Sequence, residues 1–205
     1  MHDALKKKIA GIILAAGTAT RMGKTKQLLP YEGTTLLGRV MENAAQSDLD
    51  ELIVVLGHDA GTIIKTIDFS DITVIINKDY AKGQSTSLIK GLGAVSGSSA
   101  GAMFLLSDQP LITAGIMNRM ITAFQTSKAP MIIPFYKGRR GNPVIISRPL
   151  FPKLMSLSSD TGARVMFEEY KDTLLKLNIE NDAILFDVDT PVDYENLLVR
   201  SHPGI

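Results

Sequence analysis

The chain of 205 residues has no cysteine and no tryptophan, only three histidines, and 6% aromatics. Without cysteine there is no disulfide, thiolate nucleophile, iron–sulfur cluster or cysteine-ligated zinc, so any metal must be held mainly by oxygen. His2, His58 and His202 are isolated, two of them near the termini, which argues against a histidine metal site. Few aromatics argue against a base-stacking platform, and 22 Lys+Arg against 21 Asp+Glu leave a net charge of +1. That charge exerts no long-range pull on a polyanion, so neither a nucleic-acid nor a membrane partner is expected. No apolar stretch approaches the ~20 residues of a spanning helix.

What is present is the composition of one globular unit. With 45% hydrophobic and 21% charged residues, disorder is excluded as the main state, and a chain of this length buries roughly 70% of its unfolded surface in a single core. Lys6, Lys7 and Lys8 precede an apolar run over 9–16 that ends in Ala15, Ala16 and Gly17, the layout of an export signal. The rival is a first core strand entering a glycine loop. Arg21, Met22, Gly23, Lys24 and Lys26 follow at once and favour the strand, because cleavage would tear a phosphate loop from it. The expected location is the cytoplasm.

Short β-branched runs alternate with helical patterns, the signature of βα units and a mostly parallel sheet. Strands are expected over 8–14, 51–56, 72–76, 102–106, 130–135, 143–147, 174–179 and 184–188. Helices are expected over 34–46, 58–67, 85–95, 113–124, 151–155, 163–170 and 191–200, with Thr113 as a cap and Pro191 in a first turn. The predicted fold is a three-layer α/β domain with a mostly parallel, Rossmann-like sheet. One domain is expected over 1–205, its residues up to about 128 serving a nucleotide and those from about 129 an acceptor. Ligands of open parallel sheets sit outside the carboxyl ends of the strands, so the tips after the first, third, fourth and fifth strands should converge.

The first tip reads LAAGTATRMGKTK. Small residues let backbone N–H groups approach a ligand, while Arg21, Lys24 and Lys26 supply charge for phosphates. Gly17 and Gly23 are separated by five residues instead of the four of a P-loop, and Pro30 breaks the helix a P-loop needs. A solvated basic loop is the plain alternative. Asp108 follows a buried strand and either faces a ligand or caps the next helix. Asp187 and Asp189, two apart on an expected strand, project to one face and with Asp108 offer hard oxygens suited to Mg²⁺. Gly83, Gln84, Ser85 and Ser87 open a helix and present groups for a base edge or a phosphate, or a plain cap. Gly97, Ser99 and Gly101 satisfy the hydrolase elbow pattern but precede a strand.

In order along the chain stand LAAG (Leu14, Ala15, Ala16, Gly17), RMG (from Arg21), Lys26 with LLP behind it, GQSTSL (from Gly83), SDQP (around Asp108), GNPVI (around Asn142), DTGAR (from Asp160) and DVDTP (from Asp187). This series resembles the nucleotidyltransferases of molybdenum cofactor maturation, the cytidylyltransferases above all, over nearly the whole chain. The resemblance implies Mg²⁺-dependent transfer of CMP from CTP to the terminal phosphate of molybdenum-bound molybdopterin, giving the cytosine dinucleotide form and pyrophosphate. It implies that Arg21, Lys26 and Asp108 are catalytic, and that Asp108 with Asp189 or Asp187 holds the metal, Asp189 being favoured as direct ligand. Leu14, Ala15, Ala16, Gly17, Gly23, Lys26, Gly83, Gln84, Ser85, Ser87 and Asp108 would bind nucleotide. The second alanine resembles the cytidylyl branch, since the guanylyl branch carries a second glycine there. Arg139, Arg140 and Asn142 would meet the acceptor; many relatives carry His at the position of Asn142. Other readings stay open: GTP as donor, a sugar or polyol phosphate as acceptor, or a non-catalytic carrier serving a molybdenum hydroxylase such as a xanthine dehydrogenase.

Overall fold

The computed structural model describes residues 6–18, 22–156 and 164–201. Strands β1 (Ile9–Ala15), β4 (Glu51–Leu56), β5 (Thr73–Ile76), β6 (Gly101–Leu106), β7 (Met131–Tyr136), β8 (Arg139–Arg140), β9 (Val144–Ser147) and β10 (Leu175–Asn178) form one sheet. Its order is β10-β7-β9-β6-β1-β4-β5, with β8 paired to β7. β6, β1, β4 and β5 are mutually parallel, β10 is parallel to β7, and β9 runs antiparallel between β6 and β7. A two-stranded ribbon, β2 (Pro30–Tyr31) and β3 (Thr34–Thr35), stands apart from it.

Period two along each central strand divides the core into two layers. Ile9 and Ile13 of β1, Val54 and Leu56 of β4, and Met103 and Leu105 of β6 face α1 (Leu36–Ala45), α2 (Ala60–Thr66) and α4 (Ala114–Thr126). Ala10 and Ile12, Ile53 and Val55, and Ala102 and Phe104 face α3 (Gln84–Gly93), α5 (Phe151–Met155) and α6 (Arg164–Glu169). The apolar run behind the three lysines is thus a fully covered central strand. Thr35 caps α1 by accepting from the Gly38 N–H, and Thr113, as the sequence predicts, caps α4 by accepting from the Ile116 N–H.

One expected strand is absent. Instead of a strand over 184–188, the chain makes a 3₁₀ turn at Asp182–Leu185, with the Asn181 side chain accepting from the Ala183 N–H. The Ile184 carbonyl accepts from the Asn142 N–H at 3.0 Å, and the Val188 N–H donates to the Asp108 carbonyl at 2.9 Å. The segment 184–188 is therefore pinned by single bonds to two different neighbours and does not pair as a strand. Val188 and Leu197 of α7 (Pro191–Ser201) pack with Tyr31 and Leu36 in a third small apolar cluster that fixes this segment against the ribbon.

Candidate active site

At the carboxyl edge of the sheet lies a cleft of about 350 Å³ lined by residues from five separate stretches of chain. Leu14, Ala16, Gly17 and Thr18 come from the tip after β1, Lys26 and Gln27 from the turn that follows, Tyr80, Gln84 and Ser87 from the region around the start of α3, and Leu106, Ser107 and Asp108 from the tip after β6. Asp189 adds the last segment. The tips after the first, third and fourth expected strands therefore converge. The tip after the fifth lies elsewhere: Tyr136, Lys137 and Arg139 line a separate recess with Asp182, Phe186 and Arg200.

Lys26 is set by apolar anchors on its own turn. It opens a 3₁₀ turn, Lys26–Leu28, ended by Pro30. Leu28 packs on the large core and Leu29 on the third cluster, so the LLP segment fastens the lysine stem from two sides. Its ammonium donates to Asp108 Oδ2 at 2.7 Å and to Asp189 Oδ1 at 2.9 Å, and its side chain is only 12% exposed. Burial alone would lower the Lys26 pKa, but the two carboxylates together outweigh it and raise it above the usual lysine value. The cleft floor thus carries a permanent, precisely bonded cation.

Asp108 is held by its neighbours' backbone: the Ser107 N–H donates to the Leu14 carbonyl at 3.2 Å, and the Asp108 carbonyl takes the Val188 N–H. One carboxylate oxygen, Oδ1, is buried with no hydrogen-bond partner. An orphaned buried carboxylate oxygen is costly unless a cation meets it, and Mg²⁺ characteristically takes one or two carboxylates with substrate phosphates and water. Asp108 and Asp189 fit that demand. Asp187 does not join them: its Oδ1 accepts from Gln109 Nε2 at 2.6 Å. Burial, then the charge of Asp108, pushes the Asp187 pKa up, against the lowering effect of the Gln109 bond. Among the described residues no three acidic or histidine side chains gather closely enough to hold an ion. What is corrected is the shared face expected for Asp187 and Asp189: the segment is not a strand, and its two carboxylates turn to different partners, Asp189 to Lys26 and Asp187 to Gln109. Nor does either aspartate cap α7. Thr190 and Asp193 do so reciprocally, the Asp193 carboxylate accepting from the Thr190 N–H at 2.8 Å and the Thr190 hydroxyl accepting from the Asp193 N–H at 3.2 Å.

The start of α3 is fixed by Asn77, which is fully buried and went unnoticed in the sequence. Its Nδ2 donates to Thr86 Oγ1 at 2.8 Å and Ser87 Oγ at 2.9 Å, and its Oδ1 accepts from the Asp79 N–H at 3.0 Å. Gly83 precedes the helix at φ +115°, a conformation that side chains disfavour. Gln84 and Ser87 face the cleft, whereas Ser85 is buried outside its lining. Gln27, which the sequence does not single out, is 2% exposed and bonds carbonyls at the end of β1 and in the tip after it. Its place directly after Lys26 is its one signal in the sequence.

Other expected site residues lie apart. Ala15 is buried behind the lining, and Gly23 and Lys24 are exposed in a turn. Arg139 and Arg140 sit exposed on β8, closed by the Lys137–Gly138 turn at φ 47° and 77°, with the Arg140 guanidinium 4.4 Å from the Phe167 ring centroid. Asn142 precedes a cis-proline beside the 3₁₀ turn. Arg21 and Asp160 to Ala163 lie outside the described residues. Ser99 of the hydrolase-like pattern is at the opposite edge, its hydroxyl donating to Glu51 at 2.6 Å.

Residues 11–174 match the MobA-like NTP transferase domain. The molybdenum cofactor cytidylyltransferase of Escherichia coli (strain K12) is 32% identical over 187 residues, covering 89% of this chain and 92% of that protein. The nicotine blue oxidoreductase of Paenarthrobacter nicotinovorans is 27% identical over 202 residues, covering 93% and 96%. Rv0371c of Mycobacterium tuberculosis H37Rv superposes with a TM-score of 0.85 at 30% identity, covering 94% of this chain and 98% of that one, and its manganese complex does so at 0.82. With the domain match spanning β1 through α6 and the cationic cleft floor inside it, the chain belongs to the MobA-like NTP transferase family and is a nucleotidyltransferase.

Proposed function

We propose that this chain transfers CMP from CTP to the terminal phosphate of molybdenum-bound molybdopterin, releasing pyrophosphate. The observation that carries the reading is the Lys26 ammonium locked between Asp108 and Asp189 in a cleft that Ala16 and Gly17 also line. An acceptor phosphate oxygen attacks the α-phosphorus in line, the bond from the α-phosphorus to the bridging oxygen breaks, and that oxygen leaves with pyrophosphate. A phosphate monoester is already ionised near neutral pH, so no general base is required, and catalysis reduces to placement and charge.

Lys26 stays cationic throughout, because its raised pKa keeps the proton on Nζ. Its carboxylate partners fix the ammonium before substrate arrives, so little reorganisation is left for the transition state. Asp108 and Asp189 would hold Mg²⁺, which when bound neutralises charge on the transferring and leaving phosphates. Arg21 adds a second cation by resemblance. Gln84 and Ser87 take the base edge or a phosphate, and the alanine methyl of Ala16 leaves less room than the second glycine of the guanylyl branch, favouring a pyrimidine. Residues up to about 128 serve the nucleotide and the remainder the acceptor, with Arg139, Arg140 and Asn142 on the acceptor side. The likeness to the E. coli cytidylyltransferase supports this choice. A relative 27% identical is named as an oxidoreductase, so the weight rests on the cleft floor.

The test incubates the protein with Mg²⁺, molybdopterin and each of the four nucleoside triphosphates and measures pyrophosphate. CTP-dependent release with the dinucleotide product is expected. Turnover with GTP only overturns the cytidylyl assignment, and tight cofactor binding without turnover of any nucleotide moves the reading to a carrier for a molybdenum hydroxylase.

A further inference from the structure

Gln27 is buried to 2% exposure directly after Lys26, at the wall of the cleft. A primary amide in such a place is costly unless its donors are satisfied. Here both bonds of Nε2 go to main-chain carbonyls, one at the last residue of β1 and one in the tip that follows, Ala15 O at 3.0 Å and Gly17 O at 3.3 Å. The carbonyl between them, Ala16 O, accepts from the His58 N–H at 3.3 Å. Three successive carbonyls are thus held on protein donors.

In a planar trans peptide the N–H of the next residue points opposite to the carbonyl. Fixing Ala15 O and Gly17 O on one amide therefore aims the Ala16 and Thr18 N–H groups together, away from Gln27, and both residues line the cleft. A tip free to rotate its peptide planes would turn carbonyl dipoles toward an incoming anion and repel it. We infer that Gln27 is a positioning residue which, by holding Ala15 O and Gly17 O, presents the Ala16 and Thr18 N–H groups to the leaving diphosphate of the nucleotide. The inference rests on the nucleotidyl-transfer reading of the cleft, though not on which nucleotide or acceptor is used.

Inorganic pyrophosphate is the probe, because it is common to every such transfer. In the labelled wild-type protein the Ala16 and Thr18 amide resonances should shift on saturation with pyrophosphate and Mg²⁺. Gln27→Met keeps the side-chain length and removes the donors. It should weaken pyrophosphate binding about tenfold and raise nucleotide KM by about as much, leaving acceptor KM nearly unchanged. A merely structural amide would lower the melting temperature without that split between the two KM values. Pyrophosphate affinity within about twofold of wild type in folded Gln27→Met, or wild-type Ala16 and Thr18 amides that do not respond to pyrophosphate, overturns the inference. The wild-type titration decides even if the variant fails to fold. A donor other than CTP would unseat the proposed function and leave this test standing.

Discussion

Two stretches of the same sheet edge carry cations in opposite ways. At the cleft, Lys26 is almost covered and is bonded by two carboxylates. At the hairpin, Lys137, Arg139 and Arg140 are exposed, and the contacts of Lys137 and Arg140 include aromatic rings, Lys137 lying 5.2 Å from the Tyr136 centroid. A buried charge with fixed partners has one geometry and is prepared for chemistry; exposed charges on ring faces are adaptable and suit recognition. The segment 182–189 joins the two, with Phe186 stacked under Arg200 at the recess and Asp189 at the cleft.

The sharpest way to break this contrast is Lys26→Met. It should lower kcat/KM about 1,000-fold, on the order of 4 kcal/mol of transition-state stabilisation, while circular dichroism retains the wild-type spectrum. A loss under tenfold would mean the cleft charge is no more committed than the hairpin charges. Next comes the pair of aspartates. Asp189→Asn should cost about 100-fold in kcat/KM and raise the Mg²⁺ concentration needed for half-activation, and Asp187→Asn less than about tenfold with no such rise. Equal losses would restore Asp187 as a metal ligand.

The joint between the two regions can be strained directly. A Cβ at Gly141 would lie 2.3 Å from the Ile184 carbonyl and 2.8 Å from its side chain, so Gly141→Ala should destabilise by about 2 kcal/mol, read as a lower urea midpoint, and disturb Asp189 through the same segment. The smallest effect is expected at Asp193. Hydrogen bonds, first that from the Thr190 hydroxyl, hold its carboxyl below the usual 3.8. A depressed pKa gives stability that is present above that value and lost as pH falls through the folded pKa. Because this carboxylate is largely solvated, Asp193→Asn should lower the melting temperature at pH 7 by only about 1–2 °C. The gap between wild type and variant should close below pH 3.8.

Much of the framework was legible in residue order. Alternating apolar runs located the central strands because burial on both faces demands them, and Thr113 and Pro191 marked helix starts through local bonding. The run ILFDV read as a strand for the same reason and was not one. Its neighbours, not its own pattern, set its backbone, with Asn142 taking Ile184 and Asp108 taking Val188. The pairing of Asp187 with Gln109, away from Asp108 and Asp189, followed from that turn and was invisible in spacing. Gln27 and Asn77 were missed because a buried amide's purpose lies in which carbonyls and hydroxyls surround it.

By itself the sequence determined the chemistry available: no thiols, almost no histidine, and cations and carboxylates placed after strands that burial forces into one sheet. Only the tertiary structure decided which of those groups meet. Lys26 and Asp189 are brought within 2.9 Å across 163 positions of chain, and a contact of that kind is fixed by packing of the sheet, the LLP turn and the small cluster at Val188, not by any local preference of the residues involved.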